Sequence, residues 1–220
     1  MIGLRPAGPA ERLRVLALGA HADDLEIGCG GTLLRLERLY GRLEVRWVVV
    51  GCADEARARE AERSARALLA GATVEVSLGR FPDAFFPYHG GDVKRSFEEL
   101  KGEVEPDVIF THYRHDLHQD HRLLCELTWN TFRDHLILEY EVPKYDGDLG
   151  SPNLFVHLDE AIAERKLAHV LEHFPSQAGR RWFTEDLFRS LMRIRGMESN
   201  APSGLAEGFY ARKAVLDVEP

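Results

Sequence analysis

The chain has 220 residues, of which 36 are acidic and 28 basic, so its formal net charge at pH 7 is -8. An acidic excess of this kind argues against non-specific nucleic-acid binding, which requires clustered Lys and Arg side chains to neutralise phosphates. The hydrophobic content of 45% is ordinary for a globular protein, and the length suffices for one α/β domain with a sizeable core. We therefore predict a single domain over residues 1–220.

Cysteine usage and hydropathy indicate a cytoplasmic protein. Cys29, Cys52 and Cys125 lie far apart among apolar or small residues, a pattern typical of buried free thiols rather than of disulfides. The apolar run over residues 15–20 is shorter than the roughly seven to fifteen residues of a signal-peptide core. No apolar run approaches the roughly eighteen residues that a membrane helix requires, so we expect no membrane partner. The oligomeric state stays open, a homo-oligomer included.

The first half of the chain alternates between strand and helix patterns. In chain order these patterns predict a strand over residues 14–20, a helix over 32–40, a strand over 43–51, a helix over 54–70 and a strand over 73–78. The first strand is continuously apolar, which is typical of burial on both faces in a parallel sheet. The helix over 54–70 is rich in Ala, Arg and Glu, so we expect it to face solvent. Residues 79–91, aromatic and interrupted by prolines, are predicted to form a loop.

The second half continues the alternation. It predicts a helix over residues 92–104, a strand over 107–112, a helix over 122–133, strands over 136–142 and 154–158, helices over 159–173 and 184–195, and a terminal strand over 208–216. This order indicates a three-layer, Rossmann-like α/β sandwich with a largely parallel central sheet. In such sheets ligands bind beyond the carboxyl ends of the strands.

Two clusters of imidazole and carboxylate groups directly follow predicted strands. The first is His21-Ala22-Asp23-Asp24, and the second is His115-Asp116-Leu117-His118-Gln119-Asp120-His121. Two adjacent carboxylates at the end of a buried strand are costly unless a cation or hydrogen bonds compensate their charge. A metal ion bound jointly by the two clusters would provide that compensation.

The spacing within each cluster suits a catalytic metal. His21 and Asp24 are three residues apart, and so are His118 and His121. Two imidazoles and one carboxylate with an open position for water are typical of catalytic zinc, although the same set also suits non-haem iron. A remaining Asp would then act as general base, and a second His would stabilise an oxyanion or protonate a leaving amine. Asp120 is placed to hold the tautomer of His118.

These clusters resemble the signatures of a known family, the PIG-L/LmbE-like zinc-dependent N-acetylglucosaminyl deacetylases. The run from His21 to Thr32 is similar to the first signature, usually His-Pro-Asp-Asp followed by a glycine-rich helix start. His118-Gln119-Asp120-His121 is similar to the second, usually His-Pro-Asp-His. Ala22 and Gln119 stand where the family commonly has proline, and we expect the geometry to persist. The resemblance extends over nearly the whole chain.

The resemblance implies a zinc-dependent hydrolase that removes an acetyl group from an N-acetylated amino sugar or sugar conjugate. Its partner would be a small-molecule substrate. By motif position, His21, Asp24 and His121 would be the metal ligands and Asp23 the general base. His118, oriented by Asp120, would stabilise the oxyanion and could also protonate the leaving amine.

Two other functions stay open. The same site could cleave another non-peptide C–N bond, such as a thiol-conjugate amide. Alternatively, the glycines at 28, 30 and 31 could hold a phosphate in a non-catalytic nucleotide-binding module. They lack the G-x-G-x-x-G order and follow an acidic pair, which favours helix-to-strand packing as their role. Six further residues receive no predicted role: His112, His115, Glu139, Glu141, Arg180 and Arg181.

Overall fold

The computed structural model describes residues 12–215, and within them seven strands form one sheet. The strands are β1 (Arg12–Gly19), β2 (Arg42–Val49), β3 (Thr73–Leu78), β4 (Val108–His112), β5 (Leu136–Tyr140), β6 (Leu154–His157) and β7 (Ala206–Ala211). Their order across the sheet is β3-β2-β1-β4-β5-β7-β6. The strands from β3 to β5 pair in parallel, whereas β7 is antiparallel to both of its neighbours. The predicted largely parallel sheet is confirmed.

Helices cover both faces of the sheet. They are α1 (Asp24–Leu39), α2 (Glu55–Leu68), α3 (Gly90–Glu103), α4 (Gln119–Thr131), α5 (Glu160–His173) and α6 (Glu185–Glu198). The alternation of side chains along β1 divides the core: Val15 and Ala17 pack with α1, α2, α5 and α6, whereas Leu16 and Leu18 pack with α3 and α4. The predicted three-layer α/β sandwich is therefore confirmed.

Several predicted boundaries differ from the structure. The largest difference is at α1, which begins at Asp24 rather than at residue 32. Its glycines lower the helix propensity of the segment, but packing compensates, because Gly28 lies against the ring of Tyr140 and Gly31 against Glu207. These glycines are buried inside a helix, as expected for close packing on the sheet, and do not form a phosphate-binding loop.

Two other predictions are correct in element type but differ in detail. The helix over 54–70 is present as α2, but it was expected to face solvent, and it buries Glu60, Ala61, Ser64, Ala65 and Leu68 along one face. This spacing is that of an amphipathic helix, and most of the residues on its buried face are small. The terminal strand begins at Ala206 and ends at Ala211, and the predicted end at residue 216 lies outside the described residues.

The packing of Gly28 leads to a first testable prediction. A methyl group at this position would overlap the ring of Tyr140, so Gly28→Ala should destabilise the fold by about 1–3 kcal/mol through overpacking. Gly30→Ala is the matched control on the same helix, because its added Cβ meets its nearest neighbour, on Leu68, at 3.7 Å. Urea denaturation should show Gly30→Ala unchanged or stabilised by up to about 1 kcal/mol. Equal destabilisation of both variants would contradict the packing argument.

The cysteines and the hydropathy of the helices agree with the sequence analysis. Cys29, Cys52 and Cys125 are buried and unpaired, as predicted. Within residues 12–215, no helix has both the length and the apolar character needed to cross a membrane.

Candidate active site

The two predicted clusters meet at the carboxyl ends of β1 and β4. These strands are parallel neighbours in the middle of the sheet, and one cluster follows each of them. Nδ1 of His21 lies 3.2 Å from Nε2 of His121, although the two residues are 100 positions apart in the chain. The predicted convergence of the clusters is therefore present in the structure.

Three donor atoms at this point have the spacing of a metal-binding site. Oδ2 of Asp24 lies 3.4 Å from Nδ1 of His21 and 3.5 Å from Nε2 of His121. Two ligand atoms at the corners of a tetrahedron around zinc lie about 3.3 Å apart when the metal–ligand bonds are about 2.0–2.1 Å. His21, Asp24 and His121 thus fit one divalent cation.

Hydrogen bonds on the outer ring nitrogens leave the inner nitrogens free as ligands. Nδ1 of His121 lies 2.9 Å from Oδ2 of Asp116, and Nε2 of His21 lies 2.8 Å from Oδ1 of Asp83. Each carboxylate accepts the proton of the outer ring nitrogen, so both inner nitrogens are directed toward Asp24. Burial opposes the charged form of His21, but hydrogen bonds to Asp120 and Asp24 raise its pKa, so a bound cation would take the place of the proton on its inner nitrogen. Burial, together with the neighbouring His112, lowers the pKa of His121 to about 4, which favours the neutral imidazole that a metal ligand requires.

Asp116 is the centre of the hydrogen bonds that support His121. Its carboxylate also accepts from the backbone N–H of His118 at 2.8 Å and from Nζ of Lys144 at 2.8 Å. Burial opposes its ionisation, but the hydrogen bond from His121 and the nearby Lys144 hold the pKa of Asp116 well below its usual range. The sequence analysis left Asp116 and Lys144 without a catalytic or metal-supporting role.

Removal of this support should weaken the binding of the metal. Asp116→Asn keeps the size of the side chain but loses the anionic acceptor for Nδ1 of His121. We expect the dissociation constant for zinc to rise about 10–100-fold, measured by competition with a chromogenic chelator. Asp146→Asn, a change at an exposed position of the loop that holds Lys144, is the control and should bind zinc like the wild type. Unaltered zinc affinity in Asp116→Asn would show that this carboxylate does not support the site.

Asp23 is buried beside the donor atoms but is held by a different partner. It is 5% exposed, and its Oδ1 accepts a hydrogen bond of 2.7 Å from Nη2 of Arg57. Its Oδ2 is buried without a hydrogen-bond partner in the described part of the chain. Burial raises the pKa of Asp23, although the Arg57 guanidinium opposes the shift. The side chain thus retains one free carboxylate oxygen.

His118 is oriented by the backbone of its own helix. It is the N-cap residue of α4, and its Nδ1 accepts from the backbone N–H of Asp120 at 3.3 Å. This contact puts the proton of the neutral ring on Nε2, which can then donate. One ring nitrogen of His118 lies within 4.8 Å of ring nitrogens of His21 and His121. Burial and the neighbouring His21 lower the pKa of His118, so the neutral form is favoured.

The carboxylate of Asp120 does not orient His118, contrary to the expectation from the sequence. It accepts from the backbone N–H groups of Ala84 at 2.7 Å and Phe86 at 3.1 Å, and it lies 3.3 Å from Nε2 of His21. Asp120 therefore ties the loop after β3 to α4. This loop presents Asp83 to His21, and its Ala84 has a φ of 67°, a left-handed conformation that costs energy for alanine.

Three of the residues without a predicted role are buried near the carboxyl ends of the strands. His112 is fully buried, and its Nε2 accepts from the backbone N–H of Ala20 at 2.9 Å. The same atom lies 3.2 Å from Oδ2 of Asp24, so His112 stands beside the donor atoms, and with Asp24 and His121 it forms a second group with ligand spacing. Glu139 is buried in an ion pair with Arg212, and Glu141 in one with Arg195. Both glutamates support the fold rather than the site.

Comparison with known proteins identifies the family of this chain. The model of the PIG-L family, described as GlcNAc-PI de-N-acetylase, matches residues 16–132, which is more than half of the chain. The chain belongs to the PIG-L family. The matched range includes both clusters and the strands that carry them, so the donor atoms of this PIG-L protein all lie in the part that defines its family.

Individual relatives match this chain over most of their length. YaiS, an uncharacterized deacetylase of Escherichia coli K12, is 28% identical over 171 residues, which cover 74% of this chain and 91% of YaiS. N,N'-diacetylchitobiose deacetylase from Pyrococcus horikoshii, complexed with its inhibitor, aligns with a TM-score of 0.65 at 23% identity, covering 89% of this chain and 82% of that protein.

A third relative carries out a different reaction. GalB, the 4-carboxy-2-hydroxymuconate hydratase from Pseudomonas putida KT2440, aligns with a TM-score of 0.72 at 16% identity, covering 94% of this chain and 99% of that protein. The fold alone therefore does not determine the reaction, which must be argued from the site.

Proposed function

We propose that this protein is a zinc-dependent hydrolase that removes the acetyl group from an N-acetylated amino sugar or sugar conjugate. The observation that carries the proposal is the meeting of His21, Asp24 and His121 beside the unpaired oxygen of Asp23. Two imidazoles and one carboxylate next to a free carboxylate oxygen are what metal-dependent amide hydrolysis needs.

The proposed division of labour assigns the metal to His21, Asp24 and His121. When bound there, zinc supplies a Lewis acid that polarises the acyl oxygen and lowers the pKa of a water molecule toward ~7. The matched spacing of the three donors and the outer carboxylates on both histidines support zinc as the ion.

The remaining residues move protons and stabilise charge. Hydrolysis adds water across the C–N bond and produces acetate and a free amine. Asp23 accepts the proton that the attacking water loses, through the oxygen that Arg57 leaves free. His118, with its proton on Nε2, donates a hydrogen bond to the oxyanion that forms on the acyl oxygen. The proton that Asp23 accepted from water then passes to the nitrogen of the leaving amine as the C–N bond breaks.

Support for the substrate comes from the family and its relatives. The family description names a de-N-acetylase, and both YaiS and the Pyrococcus horikoshii protein are deacetylases, the latter of an acetylated amino sugar. We infer a small-molecule substrate with an acetamido group on a sugar ring. The buried, unpaired cysteines support a cytoplasmic, reducing location for this activity.

The test is acetate release by protein of defined metal content. Chelator-treated protein is compared with protein reloaded with one equivalent of zinc, on N-acetylglucosamine, N,N'-diacetylchitobiose and an N-acylated cysteine conjugate. We expect release from the acetylated sugars by the reloaded protein only. Turnover of the cysteine conjugate alone would favour the thiol-conjugate amidase, and tight nucleotide binding without any hydrolysis would favour the nucleotide-binding module.

A further inference from the structure

Arg57 connects two buried carboxylates beside the site. Its Nη2 donates to Oδ1 of Asp23 at 2.7 Å, and its Nη1 donates to Oε2 of Glu60 at 2.8 Å. The side chains of Asp23 and Glu60 are each 7% exposed, and that of Arg57 is 20% exposed. Charged groups buried to this degree need well-aligned, charge-assisted hydrogen bonds to compensate for the loss of water, so their orientations are more restricted than those of a surface ion pair.

Glu60 is itself fixed by the segment that follows α5. Its two carboxylate oxygens accept from the backbone N–H of Ser176 at 2.9 Å and from Oγ of Ser176 at 2.7 Å. Oγ of Ser176 in turn accepts from Nη1 of Arg57 at 3.0 Å. The guanidinium also lies over the ring of Phe174, with a distance of 5.6 Å from Cζ to the ring centroid. Arg57 is therefore held on the side away from Asp23.

This arrangement determines which oxygen of Asp23 is occupied. A guanidinium that is free to turn binds a carboxylate through two parallel N–H···O bonds, which would occupy both oxygens. Because Glu60 and Ser176 occupy Nη1, the pair of Nη1 and Nη2 cannot both turn toward Asp23, and in the observed orientation the hydrogen bond from Nη2 reaches Oδ1 alone. Oδ2 remains without a partner among residues 12–215.

We propose that Arg57 is a positioning residue: held by Glu60, it fixes the carboxylate plane of Asp23 so that Oδ2 faces the reacting water. The inference rests on the proposed function, in which Asp23 is the general base. Lysine cannot replace this role fully, because a single ammonium lacks the planar fork that bridges two carboxylates in fixed directions. Arg57 acts through Asp23 and does not touch the reacting atoms.

The experiment is a double-mutant cycle on kcat, KM and zinc content. Arg57→Gln should lower kcat about 10–100-fold, as loss of an outer supporting partner does, with one zinc retained and KM changed less than about threefold. In an Asp23→Asn background, Arg57→Gln should cause no further loss, because two residues that act as one unit are not additive. Arg57→Lys should recover part of the lost kcat.

A matched control lies on the same helix. Arg59 is 71% exposed and pairs only across one helical turn with Glu55 at 3.5 Å, so Arg59→Gln should behave like the wild type. Glu60→Gln, which weakens the hold on Nη1, should lower kcat in the same direction as Arg57→Gln.

Three results would overturn the inference, and each has a distinct signature. Losses that add fully in the double variant would show that Arg57 acts independently of Asp23. A rise in KM with unchanged kcat would make Arg57 a substrate contact, and loss of zinc or of the folded state would make it structural. Absence of acetate release by wild-type protein loaded with zinc would instead overturn the proposed function, and the inference with it.

Discussion

Asp23→Asn is expected to lower kcat by about 10²–10⁴-fold, the range that a positioned general base contributes, while the protein keeps its zinc. The amide has nearly the shape of the carboxylate but cannot accept the proton from water. Within residues 12–215, Asp23 forms no hydrogen bond to the ring nitrogens of His21 or His121: its Oδ1 accepts from Arg57, and its Oδ2 has no partner. Acetate release and zinc content measured on the same preparation separate the loss of chemistry from the loss of the ion.

The control for this variant is Asp134→Asn, which makes the same chemical change at an exposed position outside the site. It should retain wild-type kcat and zinc. If Asp23→Asn keeps full activity, Asp23 is not the base. If it loses zinc together with activity, the carboxylate belongs to the ligand set instead.

His121→Ala should abolish both zinc binding and turnover. Without this imidazole only two of the three proposed ligands remain. The zinc affinity should therefore fall by more than about 100-fold, the largest loss expected when only a hydrogen-bond partner of a ligand is removed. Zinc content after dialysis and acetate release under zinc-saturated conditions are the two measurements. The variant also leaves Asp116 without the ring proton that it accepts, so His121→Gln, which retains some polar volume, provides a second test.

His115→Ala serves as the matched control, since His115 is exposed, lies in the segment that leads from β4 into α4 and belongs to none of the groups with ligand spacing. It should bind one zinc ion and release acetate at the wild-type rate. Retention of one zinc equivalent by His121→Ala, with its fold intact by circular dichroism, would contradict the proposed ligand set.

Much of the site could be predicted because local sequence and sheet geometry act together. The strand 14–20 and the strand 107–112 both end in clusters of His and Asp, and parallel strands place their carboxyl ends at one edge. His21 directly follows the first strand, and His121 lies in the first turn of the helix that follows the second, so the two clusters were expected to meet. Nδ1 of His21 lies 3.2 Å from Nε2 of His121.

The hydrogen-bond partners of these residues could not be predicted in the same way. The sequence analysis paired Asp120 with His118 because they are close in the chain, whereas the carboxylate of Asp120 holds the loop at Ala84 and Phe86. Asp83 reaches His21 from that loop, across 62 residues of chain. A loop with an aromatic, irregular sequence gives no periodic signal from which the direction of one Asp side chain can be inferred.

Arg57 illustrates a signal that was present but not recognised. The segment 54–70 is rich in charged residues and was assigned to solvent, yet Glu60, Ser64 and Leu68 recur at the spacing of a buried helical face. Hydrophobicity does not distinguish this buried face from an exposed one, because the alanine and serine residues on it are also common on exposed helices. Only the packing of α2 against α5 identifies it.

The sequence by itself determined the alternating α/β architecture, because strand and helix periodicity are local properties of the chain. The three proposed ligands followed from the resemblance of its two clusters to the family signatures. The tertiary structure decided that β4 pairs with β1, which ring nitrogens face Asp24, and which oxygen of Asp23 stays free. These last features depend on hydrogen bonds between residues that are distant in the chain. Their directions exist only after the helices and loops have packed.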